Sequence, residues 1–209
     1  MVAIVASLSG QLRTSSSSMA SSSSGTLFPN GTSSTVSSEA GDREEHGESA
    51  APETPGRALG EADGAVPGRT TVFDDGVPGV ANLDPALLDA LRQAAATAAT
   101  DGVQLDVDSG WRSRAYQEHL LRDAVAKYGS TAEAARWVAT PDTSAHVSGD
   151  AADIGPPRAA AWLGAHGARF GLCQIYGNEP WHYELRPDAA DRGCPQMYAD
   201  PTHDPRMQR

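Results

Sequence analysis

The sequence contains few cysteines, no long hydrophobic run and a deficit of positive charge. Its two cysteines, Cys173 and Cys194, exclude a disulfide-dense scaffold and a zinc module with four cysteine ligands, although a single bridge between them remains open. No run of about 18 apolar residues is present, so no complete transmembrane helix is predicted. The 16 Lys and Arg residues against 27 Asp and Glu give a net charge of −11. This balance argues against a nucleic-acid or anionic-membrane binder, because both need a clustered basic face.

The N-terminal third of the chain is poor in large apolar residues. Residues 1–40 contain 14 serines, and residues 39–69 are rich in Gly, Pro, Ala and acidic residues without apolar periodicity. Such segments cannot offset the entropy of ordering, so we expect residues 1–69 to form a disordered tail or linker and residues 70–209 to form the folded domain. The first eight residues are apolar but lack a basic region. They are either the remnant of an export anchor or the product of a mis-assigned start.

The pattern of residues 70–209 predicts both helices and strands. Asp84 and Pro85 open an amphipathic helix that Gly102 closes, and Ser113 caps a second helix that ends at Gly129. Further patterns predict a short helix after residue 130 that carries Trp137, a polar loop over 142–150, a helix over 159–166, and strands over 103–108, 151–154, 172–176 and 181–185. We therefore predict an α+β domain in which helices pack against a small antiparallel sheet.

The stretch Ser144-Ala-His146-Val-Ser-Gly149-Asp-Ala-Ala-Asp153 holds the first candidate metal ligands. His146 and Asp153 can converge on one ion if the glycine between them turns the chain into the strand that carries Asp153. Taken alone, this spacing is more often a loop histidine followed by a turn aspartate.

A second stretch, Glu179-Pro-Trp181-His182, adds a carboxylate and an imidazole three positions apart. The proline restricts the backbone, so His182 can bind an ion while Glu179 reaches the neighbouring water. With His146 and Asp153, His182 completes two nitrogens and one oxygen, the ligand set of a catalytic zinc site with an open fourth position. The alternative for His182 is a strand histidine stacked on Trp181, but the combined donor types favour the metal.

The third stretch, Ser109-Gly-Trp-Arg112-Ser, lies at a predicted strand-to-helix junction. At that point the guanidinium of Arg112 could meet a substrate carboxylate or a developing oxyanion. If this stretch stood alone, Arg112 would be better explained as a surface residue that pairs with acidic neighbours.

These three segments, in this order, resemble the zinc D,D-peptidases of the VanY and VanX type, which share a metal fold with the hedgehog signalling domain and lysostaphin-like enzymes. The shared motifs are S-G-[YW]-R-S, S-x-H-x-x-G-x-A-x-D and E-x-W-H, and the resemblance spans about residues 71–209. The domain looks most similar to the VanYn-like peptidases of glycopeptide-producing actinomycetes. The resemblance implies the zinc-binding α+β fold of these proteins.

The resemblance also implies site roles. The three candidate ligands would hold one Zn2+ ion, Glu179 would be the general base and Arg112 would stabilise the oxyanion. Gln117 and Ser144 would contact the peptide terminus, although a purely structural role is an equal alternative for both. The four tryptophans are expected mainly in the core, but Trp181 could also wall the cleft and contact substrate. Two imidazoles and a carboxylate also suit Co2+ or other divalent ions, with zinc the expected metal.

The expected function is hydrolysis of the D-Ala-D-Ala terminus of peptidoglycan precursors by a D,D-carboxypeptidase that could also act as a D,D-dipeptidase. This reaction would remove the target of glycopeptide antibiotics and confer resistance. The alternatives are a peptidoglycan endopeptidase of endolysin type and a non-catalytic, zinc-stabilised muropeptide-binding module. We expect a monomer that acts outside the cell or in the cell envelope, where Cys173 and Cys194 could pair. The incomplete export signal leaves cytoplasmic action open.

Overall fold

A computed structural model describes residues 58–208 of the chain. It has one four-stranded antiparallel sheet surrounded by helices, which confirms the predicted α+β class. The strands are β1 (Asp106–Ser109), β2 (Ala151–Gly155), β3 (Leu172–Gln174) and β4 (His182–Leu185). The α-helices are α1 (Pro78–Ala81), α2 (Pro85–Thr100), α3 (Arg114–Tyr128), α4 (Thr131–Ala134), α5 (Ala145–Ser148), α6 (Pro157–His166) and α7 (Ala189–Arg192). Short 3-10 helices cover Glu61–Asp63, Gly167–Phe170, Pro201–His203 and Pro205–Gln208.

The two longest helices begin and end where the sequence predicts. The Asp84 carboxylate accepts hydrogen bonds from the first N–H groups of α2, and the Ser113 hydroxyl accepts one from the Tyr116 N–H at the start of α3. Gly129 follows α3 in the left-handed conformation typical of a helix C-terminus. Across residues 58–208, none of the helices has the length and hydrophobicity that crossing a membrane requires.

Three local predictions differ from the structure. β1 begins at Asp106 rather than at residue 103, because the Val103 N–H donates to the Ala98 carbonyl at 2.9 Å in the turn after α2. The short helix predicted to carry Trp137 is α4, which ends three residues earlier. The expected polar loop over 142–150 contains α5, a single helical turn that carries His146.

Residues before the predicted domain boundary also pack on the domain. The Ser113 N–H donates to the backbone carbonyl of the buried Asp63 at 2.8 Å, and its hydroxyl donates to the Asp63 carboxylate at 3.3 Å. The folded part therefore includes residues N-terminal to residue 70. The rest of the predicted tail, residues 1–57, lies outside the described residues, and the division into a tail and a domain stays a prediction.

The strand order is β1-β2-β4-β3, and every neighbouring pair is antiparallel. The register sets Asp153 of the central strand β2 directly opposite His182 of β4, and Ser109 of β1 opposite Asp153 on the other side. Directly opposed residues project from the same face of a sheet. Two predicted metal ligands are therefore neighbours because of strand pairing alone.

The main hydrophobic core lies on one face of the sheet, under α2 and α6. Side chains alternate along a strand, so Ala152, Ile154 and Tyr183 enter this core while Asp153 and His182 project from the opposite face. Each fully buried large side chain contributes about 1.5–3 kcal/mol. Packing on this face therefore stabilises the sheet independently of the polar face.

A disulfide joins Cys173 of β3 to Cys194, the pair that the sequence left open. After the disulfide, the chain returns to the edge of the sheet, where Tyr198 forms an isolated β-bridge with Tyr176. Met207 packs against a small second cluster that includes Cys173 and Tyr176. The C-terminal segment is thus held against β3 by a covalent bond and by packing.

Replacing Gly149 by alanine should destabilise the domain more than the same change at Gly129. Both glycines have positive φ, 83° and 82°, so both variants carry the left-handed penalty of about 1–2 kcal/mol. A Cβ at Gly149 would lie 2.6 Å from the carbonyl oxygen of Asn82, whereas one at Gly129 would meet nothing within 4 Å. We expect this clash to add about 1–3 kcal/mol. Urea unfolding of both variants measures the difference, and equal losses of stability would contradict the close approach.

Candidate active site

The three predicted metal ligands converge in the structure. His146 comes from α5, Asp153 from β2 and His182 from the first position of β4. One ligand atom of each residue lies within 4.8 Å of the others, and all three side chains are buried. The first and last of these residues are 36 positions apart in the sequence, and the sheet and the α5 turn bring all three to one point.

Each imidazole has one nitrogen engaged outside the cluster. Nδ1 of His146 lies 2.8 Å from the Gly110 carbonyl oxygen, which can only accept, so this nitrogen donates. Nε2 of His182 lies 3.3 Å from the Glu184 carboxylate. The other two nitrogens, Nε2 of His146 and Nδ1 of His182, face each other at 3.2 Å. Two lone pairs at this distance repel unless a proton or a cation lies between them, so the donor set fits a bound metal ion.

The electrostatics of the cluster favour a positive charge at its centre. Burial by itself would raise the pKa of Asp153, but the neighbouring His146, His182 and Arg112 outweigh it and hold the pKa well below its usual range. Burial lowers the pKa of His182, but its hydrogen bonds with Asp153 and Glu184 outweigh this and raise the pKa to about 9. A divalent cation held by His146, Asp153 and His182 would take the place of the proton on Nδ1 of His182.

Glu179 lies beside the three ligands without joining them. Its carboxylate is buried and is 3.9 Å from Nδ1 of His182, and the His182 N–H donates to the Glu179 backbone carbonyl at 3.1 Å. Burial raises the pKa of Glu179 to about 7. A carboxylate in this place can accept a proton from a molecule held between it and the ligands.

Arg112 is held at the edge of the cluster by three hydrogen bonds. Its guanidinium donates to Asp153 Oδ2 at 3.0 Å, to the Ser109 hydroxyl at 2.8 Å and to the Gln117 side-chain carbonyl at 3.1 Å. The side chain is only 13% exposed, so Arg112 is not a surface residue, although it does pair with an acidic residue, Asp153. Arg112 thus combines contact with a predicted ligand and access to the site.

The three predicted substrate contacts all line the same cavity but differ in how they are engaged. Gln117 is buried and bonded at both ends of its amide, to Arg112 and to the Ala139 carbonyl at 2.8 Å. Ser144 begins α5, but its hydroxyl caps no N–H of that helix. Trp181 is 40% exposed and forms part of the cavity wall, rather than filling the core. The geometry thus ties Gln117 to the orientation of Arg112 and leaves Ser144 and Trp181 facing the site.

The cavity of about 610 Å³ extends beyond the metal ligands along α3. Its far end is lined by Tyr128 and Trp137, whose rings stack with centroids 5.9 Å apart, and by Lys127. Sequence reasoning missed this region, because Trp137 was expected in the core and is 38% exposed. No motif or spacing links Tyr128 to Trp137, since their contact depends on the turn between α3 and α4.

The family model for VanY, D-alanyl-D-alanine carboxypeptidase, matches residues 80–188, just over half of the chain. The chain therefore belongs to the VanY family. The matched range contains the three converging ligands together with Glu179 and Arg112, and it ends before the C-terminal segment that follows the disulfide.

Individual relatives match over part of their length. A D-alanyl-D-alanine carboxypeptidase from Enterococcus faecalis is 36% identical over 111 residues, covering 41% of this chain and 41% of the relative. The chain thus spans less than half the length of this curated relative. The solved structure of VanYB in complex with D-Alanine-D-Alanine has a TM-score of 0.50 and 30% identity, over 53% of this chain and 75% of that chain. A VanY D,D-pentapeptidase variant from a VanB-type resistance cassette, in complex with Zn(II), has a TM-score of 0.47 and 30% identity, over 49% and 72% of the two chains.

Removing a bound metal should leave the domain folded, because the ligands lie on the polar face and the main core lies on the other. We expect a chelator to strip the metal without changing the near-ultraviolet circular dichroism. The variants His146→Ala and His182→Ala should lose the metal and keep the same spectrum. His119→Ala, on the exposed side of α3, is the matched control and should retain the metal. Loss of the tertiary signal on chelation, restored by zinc, would show that the site is structural.

Proposed function

We propose that this protein is a zinc-dependent D,D-carboxypeptidase that hydrolyses the D-Ala-D-Ala terminus of peptidoglycan precursor peptides. The observation that carries the proposal is the convergence of His146, Asp153 and His182 beside the buried Glu179, in a member of the VanY family. Two imidazoles and one carboxylate suit zinc and leave a coordination position open for catalysis. The VanYB complex with D-Alanine-D-Alanine supports the substrate class.

The chain's own residues supply the proton transfer and the charge stabilisation. A bound zinc ion would supply Lewis-acid activation of water. Glu179 takes the proton from the attacking water and returns it to the amine of the leaving D-alanine, so the carboxyl group ends in its starting state. Arg112 uses three of its five N–H groups within the described residues, which leaves two for the oxygen that gains charge on the peptide carbonyl.

The size of the cavity favours a carboxypeptidase over a dipeptidase. Beyond the ligands, the cavity continues to the stacked rings of Tyr128 and Trp137 and to Lys127. A free dipeptide reaches only one residue to the amino side of the cleaved bond, whereas a longer peptide would fill this far end. We therefore infer that residues preceding D-Ala-D-Ala add to binding.

The two alternatives have less support. A zinc-stabilised muropeptide-binding module needs no buried carboxylate beside its ligands, yet Glu179 occupies that place. An endopeptidase of endolysin type would use the same zinc chemistry and needs a cleft open at both ends. Cleavage of an internal bond in a cross-linked muropeptide, faster than release of terminal D-alanine, would favour the endopeptidase.

The setting that we propose is the cell envelope or the exterior. The disulfide between Cys173 and Cys194 supports an oxidising compartment. Removal of terminal D-alanine would confer resistance to glycopeptide antibiotics, and the relation to actinomycete peptidases stays a prediction. We expect the protein to act as a monomer.

The first test of the function is release of D-alanine from acetyl-Lys-D-Ala-D-Ala by the zinc-loaded protein. Glu179→Gln should cut turnover by about 10² or more while zinc and substrate binding persist, because the variant keeps the side-chain shape and loses the base. Glu118→Gln, at an exposed position of α3, is the matched control and should turn over normally. The absence of D-alanine release with zinc bound would reject the proposed activity, and unchanged turnover in Glu179→Gln would remove Glu179 from the mechanism.

The second test concerns the far end of the cavity. Trp137→Ala should raise KM for acetyl-Lys-D-Ala-D-Ala by about 2- to 10-fold, since an aromatic contact contributes about 0.5–1.5 kcal/mol. Hydrolysis of free D-Ala-D-Ala should be slower in the parent protein and insensitive to the change. Phe73→Ala, an exposed aromatic away from this cavity, controls for general effects. Equal kcat/KM for the two substrates would contradict the proposed preference for a carboxypeptidase reaction.

A further inference from the structure

The segment that begins at the disulfide, which we call the C-terminal strap (residues 194–208), reaches the surroundings of the predicted metal ligands. It lies outside the range that matches the VanY family model. The Cys173–Cys194 bond ties its start to β3, and its last 3-10 helix, Pro205–Gln208, lies against the sheet beside Glu184. A part of the chain that the family match does not cover thus touches the surroundings of a predicted ligand.

Glu184 links the strap to the cluster. It lies two positions after His182 on β4, so both side chains project from the polar face of the sheet. Its side chain is only 1% exposed, and Oε1 lies 3.3 Å from Nε2 of His182. A carboxylate buried to this extent is costly unless cations and hydrogen bonds satisfy it.

Arg206 of the strap supplies this partner in an end-on, two-point geometry. Its Nη1 donates to Glu184 Oε2 at 2.6 Å and its Nη2 donates to Glu184 Oε1 at 3.1 Å. Such paired bonds fix the orientation of a carboxylate as well as its charge. The guanidinium is itself held by the fully buried Asp204, through Nε at 2.9 Å and Nη2 at 2.5 Å.

A second contact path runs from the same pair to the same ligand. Asp204 accepts a hydrogen bond from the Tyr176 hydroxyl at 3.0 Å, and the Tyr176 ring lies against the His182 ring with centroids 5.1 Å apart. The strap therefore meets His182 at the imidazole Nε2, through Glu184, and at the ring face, through Tyr176.

We propose that Arg206 is a positioning residue for His182, an inference that rests on the metal site of the proposed function. Arg206 fixes the Glu184 carboxylate, which holds the proton on Nε2 of His182 and so presents Nδ1 to the cluster. Groups that hold the outer nitrogen of a ligating histidine set its tautomer and ring orientation, and their loss typically weakens metal binding by 10- to 100-fold.

Arg186 also touches Glu184 but cannot take over this role. It contacts only Oε2, at 2.7 Å, whereas the oxygen that faces His182 is Oε1. Of the two arginines, only Arg206 bonds to both oxygens. Loss of Arg206 would leave the carboxylate with a counter-charge and without its fixed orientation.

The test measures zinc affinity by competition with a chromophoric chelator, so it does not depend on turnover. Arg206→Met should weaken zinc binding by about 10- to 100-fold, and Arg206→Lys should give a smaller loss because it keeps the charge without the fork. Arg192→Met removes an arginine that is 80% exposed on α7 and should bind zinc like the parent protein. Near-ultraviolet circular dichroism checks that each variant is folded.

A second readout reports the imidazole itself. Long-range 1H–15N NMR of the zinc-loaded protein should show a slowly exchanging proton on Nε2 of His182, held by Glu184, and Arg206→Met should make that proton exchange faster. Unchanged zinc affinity together with an unchanged His182 pattern in Arg206→Met would overturn the inference. If Arg206→Met does not fold, Arg206→Lys decides by the same two readouts. If the parent protein binds zinc but releases no D-alanine, and Arg206→Met changes both readouts, the proposed function is rejected and the positioning role is retained.

Discussion

The antiparallel pairing of β2 with β4 is the constraint on which the rest of the site depends. It sets Asp153 opposite His182, and the same carboxylate also contacts Arg112 and faces His146. Since side chains alternate along a strand, a slip of one residue would turn Asp153 into the core and an alanine or isoleucine into the site. The hydrophobic face under α2 and α6 prevents that slip, so the apolar core determines the geometry of the polar face.

The polar face of the sheet buries several charged side chains. Ion pairs and hydrogen bonds among them offset the cost of removing these charges from water. The buried carboxylates of Asp153 and Glu184 lie at Nδ1 and Nε2 of His182. Asp153 forms an ion pair with Arg112, and Glu184 forms one with Arg206. An unpaired charge in either place would cost several kcal/mol. The two arginines are far apart in the sequence, one just before α3 and one in the strap. The site is therefore completed by residues that are distant in sequence on both sides.

The family match and the geometry contribute different parts of the functional argument. The match to the VanY family gives the class of protein, and the relatives' partial coverage leaves the activity of this chain to be argued from its own residues. Those residues present two imidazole nitrogens, a carboxylate and a flanking buried acid to one cavity. The part of that cavity lined by Tyr128 and Trp137 supports the proposal that the substrate is a longer peptide rather than a free dipeptide.

The sequence by itself determined the α+β class and the two longest helices, and it predicted which groups would meet in the candidate site. Caps at Asp84 and Ser113 fixed the two longest helices, because capping depends on nearby residues, and three motifs predicted the ligands together with Glu179 and Arg112. Only the tertiary structure decided the helical turn at His146, the cavity end at Trp137 and the contact of Arg206 with Glu184. No periodicity or motif in the sequence predicts these features. Their placement follows from strand register and core packing, which act only once the whole domain has folded.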